Sequence, residues 1–508
     1  MKYLVLDYFE QTVQQHPQKI AFSDINKSIT FADLEASAQS VASAILNLNK
    51  KIEVVAFYTD KSVDTVVGFG GAIYAGCAYT QINLRNPASR ISEILNTITP
   101  CVVVTDKEHI SAWQELGLDI EALLIEDLIE TPIDFPKLLA TRETMLDITP
   151  LYINFTSGST GKPKGVSVCH RSVIDFITCF TEIFHITADD IIANQAPFDF
   201  DVSVKDIYSG LFTGATVQIV PTSYFINPVA LMDFLCERQA TVMIWAVSAL
   251  CFITSMNGLD YRVPDKLRTI MFSGEVMPIK HLKKLQKYLP DVQYVNLYGP
   301  TEITCNCSYY IVDREFELTE SLPIGKPFPN EKLILLDEED REVSEMGEVG
   351  ELCVSGTALA LGYYRNREKT NEVFIQNPNN HDYNELIYRT GDLVRIGEDG
   401  ELYYLTRKDF QVKHMGHRVE LGEIEVCLQS ADGVDRACCV FDEKKDKIIA
   451  IYTGTADKSE LVKQLETELP QFMIPQNFYL IETFPLNKNG KIDRNKLKEE
   501  YISKRVKK

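Results

Sequence analysis

Positive charge is scarce in this chain: 51 Lys and Arg stand against 72 Asp and Glu, giving a formal net charge of −21 at pH 7. Phosphate backbones select basic surfaces, so this balance argues against a nucleic-acid binder. It argues equally against docking on an anionic bilayer. Long apolar runs are missing too, and no uninterrupted stretch reaches the ~20 residues that a spanning helix needs. The first residues, Met1-Lys-Tyr-Leu-Val-Leu-Asp-Tyr-Phe-Glu, meet an aspartate early and lack the apolar region of a secretion signal. Paired CxxC motifs are absent. The 12 cysteines are scattered, with Cys305 and Cys307 separated by one residue and Cys438 adjacent to Cys439, spacings that fit no common zinc site. A disulfide framework is not expected in a chain of this size without a secretion signal, so a reducing cytoplasm is the expected location. Internal repeats and low-complexity linkers are also lacking.

What is present is ordinary for a soluble globular protein, with 45% hydrophobic and 24% charged residues. At 508 residues the chain exceeds one compact core and predicts two or more domains. Ile29-Thr-Phe-Ala-Asp-Leu-Glu-Ala opens a helical pattern in which Leu34, Val41, Ala44 and Ile45 share a face. Val54-Val-Ala-Phe-Tyr, Cys101-Val-Val-Val-Thr and Thr216-Val-Gln-Ile-Val are short and β-branched, as buried strands are. Strands alternating with helices predict an α/β domain with largely parallel sheets. After about Pro323, short strands at Glu331-Lys-Leu-Ile-Leu-Leu-Asp, Gly350-Glu-Leu-Cys-Val-Ser-Gly and Gly400-Glu-Leu-Tyr-Tyr-Leu are set off by glycines and acidic turns, which predicts a β-rich subdomain over about 323–405. Beyond Arg407 a helix at Glu420-Leu-Gly-Glu-Ile-Glu-Val-Cys-Leu and strands at Ala437-Cys-Cys-Val-Phe and Ile448-Ile-Ala-Ile-Tyr predict a small α+β domain.

The chemistry begins where a strand, Tyr152-Ile-Asn-Phe, runs into Thr156-Ser-Gly-Ser-Thr-Gly-Lys-Pro-Lys-Gly165, with helical spacing resuming near His170. Glycines such as Gly158 and Gly161 let a backbone approach an anion. The hydroxyls of Thr156, Ser157, Ser159 and Thr160 can donate hydrogen bonds, and Lys162 and Lys164 add charge. The pattern suits a polyphosphate, although composition alone also fits a surface loop. A Walker A P-loop is excluded: Thr156 stands where its first glycine belongs, and Pro163 follows Gly161-Lys162 where Ser or Thr is required.

Four further segments follow in order. They are Asn296-Leu-Tyr-Gly-Pro-Thr-Glu302, Tyr388-Arg-Thr-Gly-Asp392, Arg407-Lys-Asp-Phe-Gln-Val-Lys413 with Gly416-His-Arg-Val-Glu-Leu-Gly-Glu-Ile-Glu425, and Asn489-Gly-Lys-Ile-Asp-Arg494. Together with the Gly-rich loop they resemble the signatures of the AMP-forming superfamily of acyl-CoA synthetases, nonribosomal peptide synthetase adenylation domains and luciferases, over nearly the whole chain. Amino-acid-activating adenylation domains are the most similar group. These include the D-alanine:carrier protein ligases, which Phe272-Ser-Gly-Glu-Val-Met-Pro particularly resembles.

The resemblance implies an adenylation core over 1–408 and a mobile C-terminal domain over 409–508. It assigns Glu302, with Thr301 nearby, to Mg²⁺, a hard cation that a carboxylate suits. Tyr298 would stack on adenine, Asp392 would accept hydrogen bonds from both ribose hydroxyls of ATP, and Arg407 would support the same nucleotide. Ser273, Gly274, Glu275, Asn296, Leu297 and Gly299 join the nucleotide site. Lys491, on its own merely a solvated cation in a turn, would bridge the substrate carboxylate and the α-phosphate, offsetting the repulsion between two anions. Asp409 matches the hinge about which the small domain rotates to let a pantetheine thiol attack, with Lys413 beside it on the face then presented. Thr406 departs from the family, which usually has glycine before Arg407.

Phe198-Asp-Phe-Asp-Val-Ser-Val-Lys-Asp-Ile207 aligns with the segment lining the acid pocket, where Asp201 takes the place of the aspartate that binds a substrate's α-ammonium. The alternative is that Asp201 only caps the following helix. Val202, Lys205, Ile244, Met271, Ser273, Leu297, Cys305 and Asn306 align with the remaining pocket positions. Lys205 has two open readings: it reaches an acceptor on the substrate, or it folds away and fills space with its methylenes. Met271 and Leu297 argue against a very large substrate, leaving a small or polar amino acid or an aminobenzoate. Only a short charged tail follows Asp493-Arg494, so delivery to a separate phosphopantetheinylated carrier protein, as in nonribosomal peptide synthesis, is expected. The alternatives are D-alanine:carrier protein ligation for cell-wall polymers, transfer to coenzyme A, a luciferase-like oxygenase and a non-catalytic relative.

Overall fold

Two parallel-rich sheets form the frame of the first 330 or so residues in the computed structural model, which describes residues 2–157, 162–408, 411–485 and 492–503. The chain divides into two compact units. One comprises Met1–Ile82, Ile98–Asn154 and Val166–Lys408, the other Asn83–Thr97, Phe155–Gly165 and Asp409–Lys508.

The first unit's nine-stranded sheet has the order Lys326–Pro327, Ser308–Ile311, Gln293–Tyr298, Thr269–Ser273, Val242–Ala246, Ile191–Asn194, Thr216–Ile219, Ile20–Ser23 and Ser28–Thr30. The consecutive pairs from Gln293–Tyr298 through to Ile20–Ser23 run parallel, as buried sheets joined by helices do, and the pairs beyond them at both ends are antiparallel. Period-2 alternation sorts the side chains. Ile244, Met271, Val295 and Leu297 enter the larger apolar core, whereas Trp245, Phe272 and Tyr294 enter a second core with the helices Pro228–Glu237, Val247–Ser255 and Ile279–Tyr288. A second, seven-stranded sheet includes Val54–Tyr58, with Ala78–Gln81 and Cys101–Thr105 parallel on either side of it. The expected early helix spans Phe31–Asn47 and buries Leu34, Val41 and Ile45. Ile29 and Thr30 stay outside it because the Thr30 side chain caps the helix by accepting the Asp33 N–H.

The sheet of Glu331–Leu336, Val349–Gly356, Leu386–Ile396, Phe374–Gln376 and Leu402–Arg407 is antiparallel and forms the β-rich subdomain. In the second unit, strands Val434–Asp442, Lys447–Gly454 and Asn477–Leu480 make a small sheet. Its core is shared with helices Leu421–Gln429 and Lys458–Glu468. All 12 cysteines are free thiols. Among the described residues no helix is long and apolar enough to cross a membrane.

Candidate functional site

Asp392 owes its position to an irregularity in the antiparallel sheet. Glu351 faces Leu393 and Cys353 faces Arg389, so residues 390–392 together oppose the single residue Leu352. Such a bulge re-aims a side chain out of the regular alternation. The Asp392 carboxylate is buried, its Oδ1 accepts from Arg407 Nη1 at 2.7 Å, and its Oδ2 accepts from the Tyr298 hydroxyl. Burial, then the Asp392 charge, push the Tyr298 phenol well above its ordinary range, so it remains a donor. A carboxylate offers about four acceptor sites. These two bonds use one on each oxygen, which leaves each oxygen able to accept from a diol.

Tyr298 ends strand Gln293–Tyr298, and the chain turns at Gly299. A Cβ on Gly299 would lie 2.4 Å from the Asn306 Cα and 2.8 Å from the Cys307 nitrogen, so only glycine fits this close backbone approach. Within the turn, Thr304 and Cys305 adopt φ of 50° and 77°, a conformation non-glycine residues hold only when the surroundings over-determine it. The Thr304 hydroxyl supplies one such tether, donating to the Ala358 carbonyl at 2.6 Å. Thr301 and Glu302 lie on the short 3₁₀ segment Thr301–Ile303. Glu302 is fully buried, its Oε1 accepting from the Tyr363 hydroxyl at 2.7 Å and its carbonyl from the Ala360 N–H at 2.9 Å. Among the described residues no three His, Cys, Asp or Glu gather as a metal cage. A lone buried carboxylate nevertheless fits Mg²⁺, which is commonly bound by one or two carboxylates plus substrate phosphates. Asn296 spends its side-chain amide on the Pro323 carbonyl at 2.7 Å, tying the strand end to the entrance of the β-rich subdomain.

The structure brings together several of the residues aligned with the acid pocket. Half-buried Asp201 immediately precedes helix Val202–Thr213, and its side chain makes no capping bond there, so the capping alternative fails. The Cys305 thiol donates to the Asp201 carbonyl oxygen at 3.1 Å, and burial, then the Asp201 charge, keep that thiol protonated. Lys205, one helical turn on, neither extends into open space nor serves as mere filler. It is fully buried, and its ammonium donates to Asn306 Oδ1 at 2.5 Å. Burial lowers its pKa, opposed by the neighbouring Cys305, Asp201 and Asp206. Ile244 and Met271 are register partners in adjacent parallel strands and are fully buried, with Leu297 on the same face. Ser273 ends its strand beside Ala246, buried, with Gly274 at φ 98° and half-buried Glu275 after it. Val202 is half-buried at the start of its helix.

The Gly-rich loop leaves strand Pro150–Thr156 and returns in another strand, Lys164–Cys169, before the helix His170–Ile183 begins. This placement between two strands, not at a helix N-terminus, separates it structurally from a P-loop. Among the described residues the buried Thr156 Oγ1 has no hydrogen-bond partner. In the second unit, Ser157 Oγ donates to the Arg418 carbonyl at 2.6 Å and accepts from the Glu420 N–H at 3.2 Å, while Lys164 Nζ lies 3.6 Å from Glu420 Oε1. Two segments of the sequence, the loop and the 416–425 motif, are thus stitched together. Lys162 is exposed, and Lys413 lies in the short strand Gln411–His414. Gly158, Ser159, Thr160, Gly161, Asp409 and Lys491 lie outside the described residues.

Comparison with known proteins establishes the family. The profile of the AMP-binding enzyme matches residues 9–364, and that of the AMP-binding enzyme C-terminal domain matches residues 423–491. The chain belongs to the AMP-binding enzyme family. Within it the chain is an adenylate-forming enzyme of the adenylation-domain type. It is 32% identical over 96% of its length to an L-proline–[L-prolyl-carrier protein] ligase of Streptomyces coelicolor, of which it spans 94%. It is 31% identical over 98% of its length to surfactin synthase subunit 3 of Bacillus subtilis, but spans only 39% of that protein. Its fold matches the Vibrio cholerae adenylation domain AlmE, solved in complex with glycyl-adenosine-5'-phosphate, with a TM-score of 0.85 at 24% identity, covering 99% of this chain and 98% of that one.

Several participants in this AMP-binding enzyme carried no local sequence signal. Tyr363, which holds Glu302, sits 61 residues away from it. Asp206, fully buried, accepts from Asn194 Nδ2 at 2.7 Å, and burial pushes its carboxyl up to about 7. Asn194 in turn receives Lys61, whose ammonium also donates to the Gln195 carbonyl at 2.7 Å. This chain of bonds braces the segment leading to Asp201, and no spacing rule joins residues 61, 194 and 206.

Proposed function

We propose that the protein activates an amine-bearing carboxylic acid with ATP and passes the acyl group to the phosphopantetheine thiol of a carrier protein. In the first step a carboxylate oxygen of the acid attacks the α-phosphorus of ATP, the bond to the β-phosphate oxygen breaks, and pyrophosphate leaves. In the second, the thiol sulfur attacks the acyl carbon, loses its proton, and AMP departs. The observation that carries the reading is the buried Asp392 carboxylate, held by Arg407 and Tyr298 yet retaining acceptor capacity on both oxygens. Glu302 would hold Mg²⁺, whose charge offsets the repulsion between carboxylate and phosphate. Lys491 would add the second positive charge, and the 156–165 loop would hold the phosphates.

The substrate class follows from Asp201 and Lys205 together. A half-buried carboxylate at the head of the helix suits an ammonium, and the buried Lys205 cation nearby suits a further acceptor on the same substrate. Ile244, Met271 and Leu297 restrict the remaining volume, which favours a small or polar amino acid or an aminobenzoate. The name of the prolyl-carrier ligase relative supports a carrier as acceptor.

An ATP–pyrophosphate exchange screen across amino acids, hydroxy acids and aminobenzoates tests the reading. Amine-bearing acids are expected to exchange best, and Asp201→Asn should lower their kcat/KM at least about tenfold, the scale of one charge-assisted hydrogen bond. Best exchange by amine-free acids, unaffected by Asp201→Asn, would contradict the anchor. Acyl transfer to free coenzyme A and to no carrier would overturn the second step as proposed.

Lys205→Met supplies a separate check. It removes the ammonium bonded to Asn306 while roughly conserving length and volume. The expected outcome is a changed rank order in the exchange screen, with substrates carrying a second polar acceptor losing about tenfold or more and purely apolar ones nearly unaffected. A uniform loss across all substrates would instead assign Lys205 a structural role.

A further inference from the structure

Glu351 is a buried carboxylate to which the sequence motifs assign nothing, and it gathers four donors. Arg389 donates to its Oε2 from Nε at 3.0 Å and from Nη2 at 2.6 Å, and Lys408 Nζ donates to the same oxygen at 3.0 Å. Its Oε1 accepts the Gly391 N–H at 3.2 Å. Burial raises its pKa, but the hydrogen bonds from Arg389 and Lys408 outweigh burial and leave it below the ordinary carboxylate range. All four belong to three residues, Arg389, Gly391 and Lys408, in the segments flanking Asp392 and Arg407. Gly391 lies inside the bulge at φ 76°, where the regular ladder offers its N–H no partner. Lys408 follows Arg407 directly, and its own N–H donates to the Gly391 carbonyl at 2.7 Å. The residue after Glu351 completes the clamp: the Leu352 carbonyl accepts the Thr390 hydroxyl at 2.7 Å, and Thr390 Oγ1 in turn accepts the Asp392 N–H at 3.0 Å.

We infer that Glu351 is a positioning residue for nucleotide binding. It locks the Thr390-Gly391-Asp392 bulge to the Arg407-Lys408 strand end, so that Asp392 and Arg407 meet in one geometry before a ribose arrives. It touches no substrate itself and acts through the two residues that would. The physical reason is pre-organisation: a bulge freed from the ladder has several conformations, and one charged acceptor shared by its backbone and by the neighbouring strand selects one of them. The inference rests on the nucleotide reading of Asp392.

The test is steady-state ATP–pyrophosphate exchange by the full chain, with KM for ATP and for the acid measured separately. Glu351→Ala is expected to raise KM for ATP about tenfold, the scale of losing a supporting residue, and to leave KM for the acid within about twofold. Glu351→Gln keeps an acceptor for Gly391 and is expected to recover part of that loss. Lys408→Met removes one donor at a part-exposed position, which guards against a folding failure of the alanine variant. Its expected effect is a two- to fivefold rise in KM for ATP, roughly one weakened bond of the set. Unchanged KM for ATP in all three variants, or equal rises for ATP and acid, would overturn the inference. Asp392→Asn, run alongside, separates the two readings. If it raises KM for ATP while the Glu351 and Lys408 variants do not, the clamp alone fails. If it too leaves KM for ATP unchanged, the nucleotide assignment falls, and the clamp with it.

Discussion

Lys491→Ala is expected to lower the rate of ATP–pyrophosphate exchange by about 10²–10³-fold, the usual cost of removing one pre-organised charge or donor from a transition state. Adenylation brings a carboxylate against a phosphate, and the charge that develops between them must be met by a cation in a poorly solvated place. A lysine suits this because its ammonium is a compact point charge on a long stem. Transfer of the acyl group from a supplied acyl-adenylate should persist near the unmodified rate, because the thiol attacks a neutral carbonyl carbon and no anionic nucleophile has to approach the phosphate. The two half-reactions are measured separately, as isotope exchange into ATP and as acylation of a carrier thiol. Equal loss in both would remove Lys491 from its step-specific role and reduce it to a structural cation.

The second large effect is expected at Asp392. Asp392→Asn conserves size but removes the charge opposite Arg407, whose side chain is 11% exposed, and it turns one acceptor facing Tyr298 into a donor. If ribose is bound there, a hydrogen bond to a charged group worth roughly 1.5–3 kcal/mol is lost, which corresponds to about a 10–100-fold rise in KM for ATP. KM for the acid should change far less, since Asp201 and Lys205 are held by other elements. Thermal unfolding should also move to lower temperature, because a buried ion pair broken from one side leaves an uncompensated charge. A variant with normal KM for ATP and a lowered melting point would show Asp392 to be structural only.

The large elements were legible because their signals are local. Val54–Tyr58 and Cys101–Thr105 are short β-branched runs, and Thr30 announces the helix at Phe31 by capping chemistry. The motif residues were legible only through the resemblance, which singles out Glu302, Asp392 and Arg407 without saying how they are held. Their supports were not legible. Glu351 and Gly391 are 40 residues apart, and nothing in either strand's alternation announces a bulge that sets three residues against one. Lys205 shows the same limit at a single side chain. Two orientations were equally compatible with its neighbours in sequence, and the outcome depended on Asn306, 101 residues away, which presents an oxygen there only because the chain takes left-handed turns at Thr304 and Cys305.

By itself, then, the sequence determined the α/β class, the β-rich subdomain, the exclusion of a P-loop through Pro163, and the family whose ordered motifs it carries. These depend on periodicity, capping and residue type over short spans, where covalent geometry restricts the choices. Tertiary structure alone decided that Asp201 does not cap its helix, that the buried Lys205 ammonium is bonded to Asn306, and that Glu351 ties together the two strands bearing Asp392 and Arg407. Those outcomes depend on burial and on long-range hydrogen bonds. A buried charge must find a partner wherever the fold brings one, and that partner can lie anywhere in the chain.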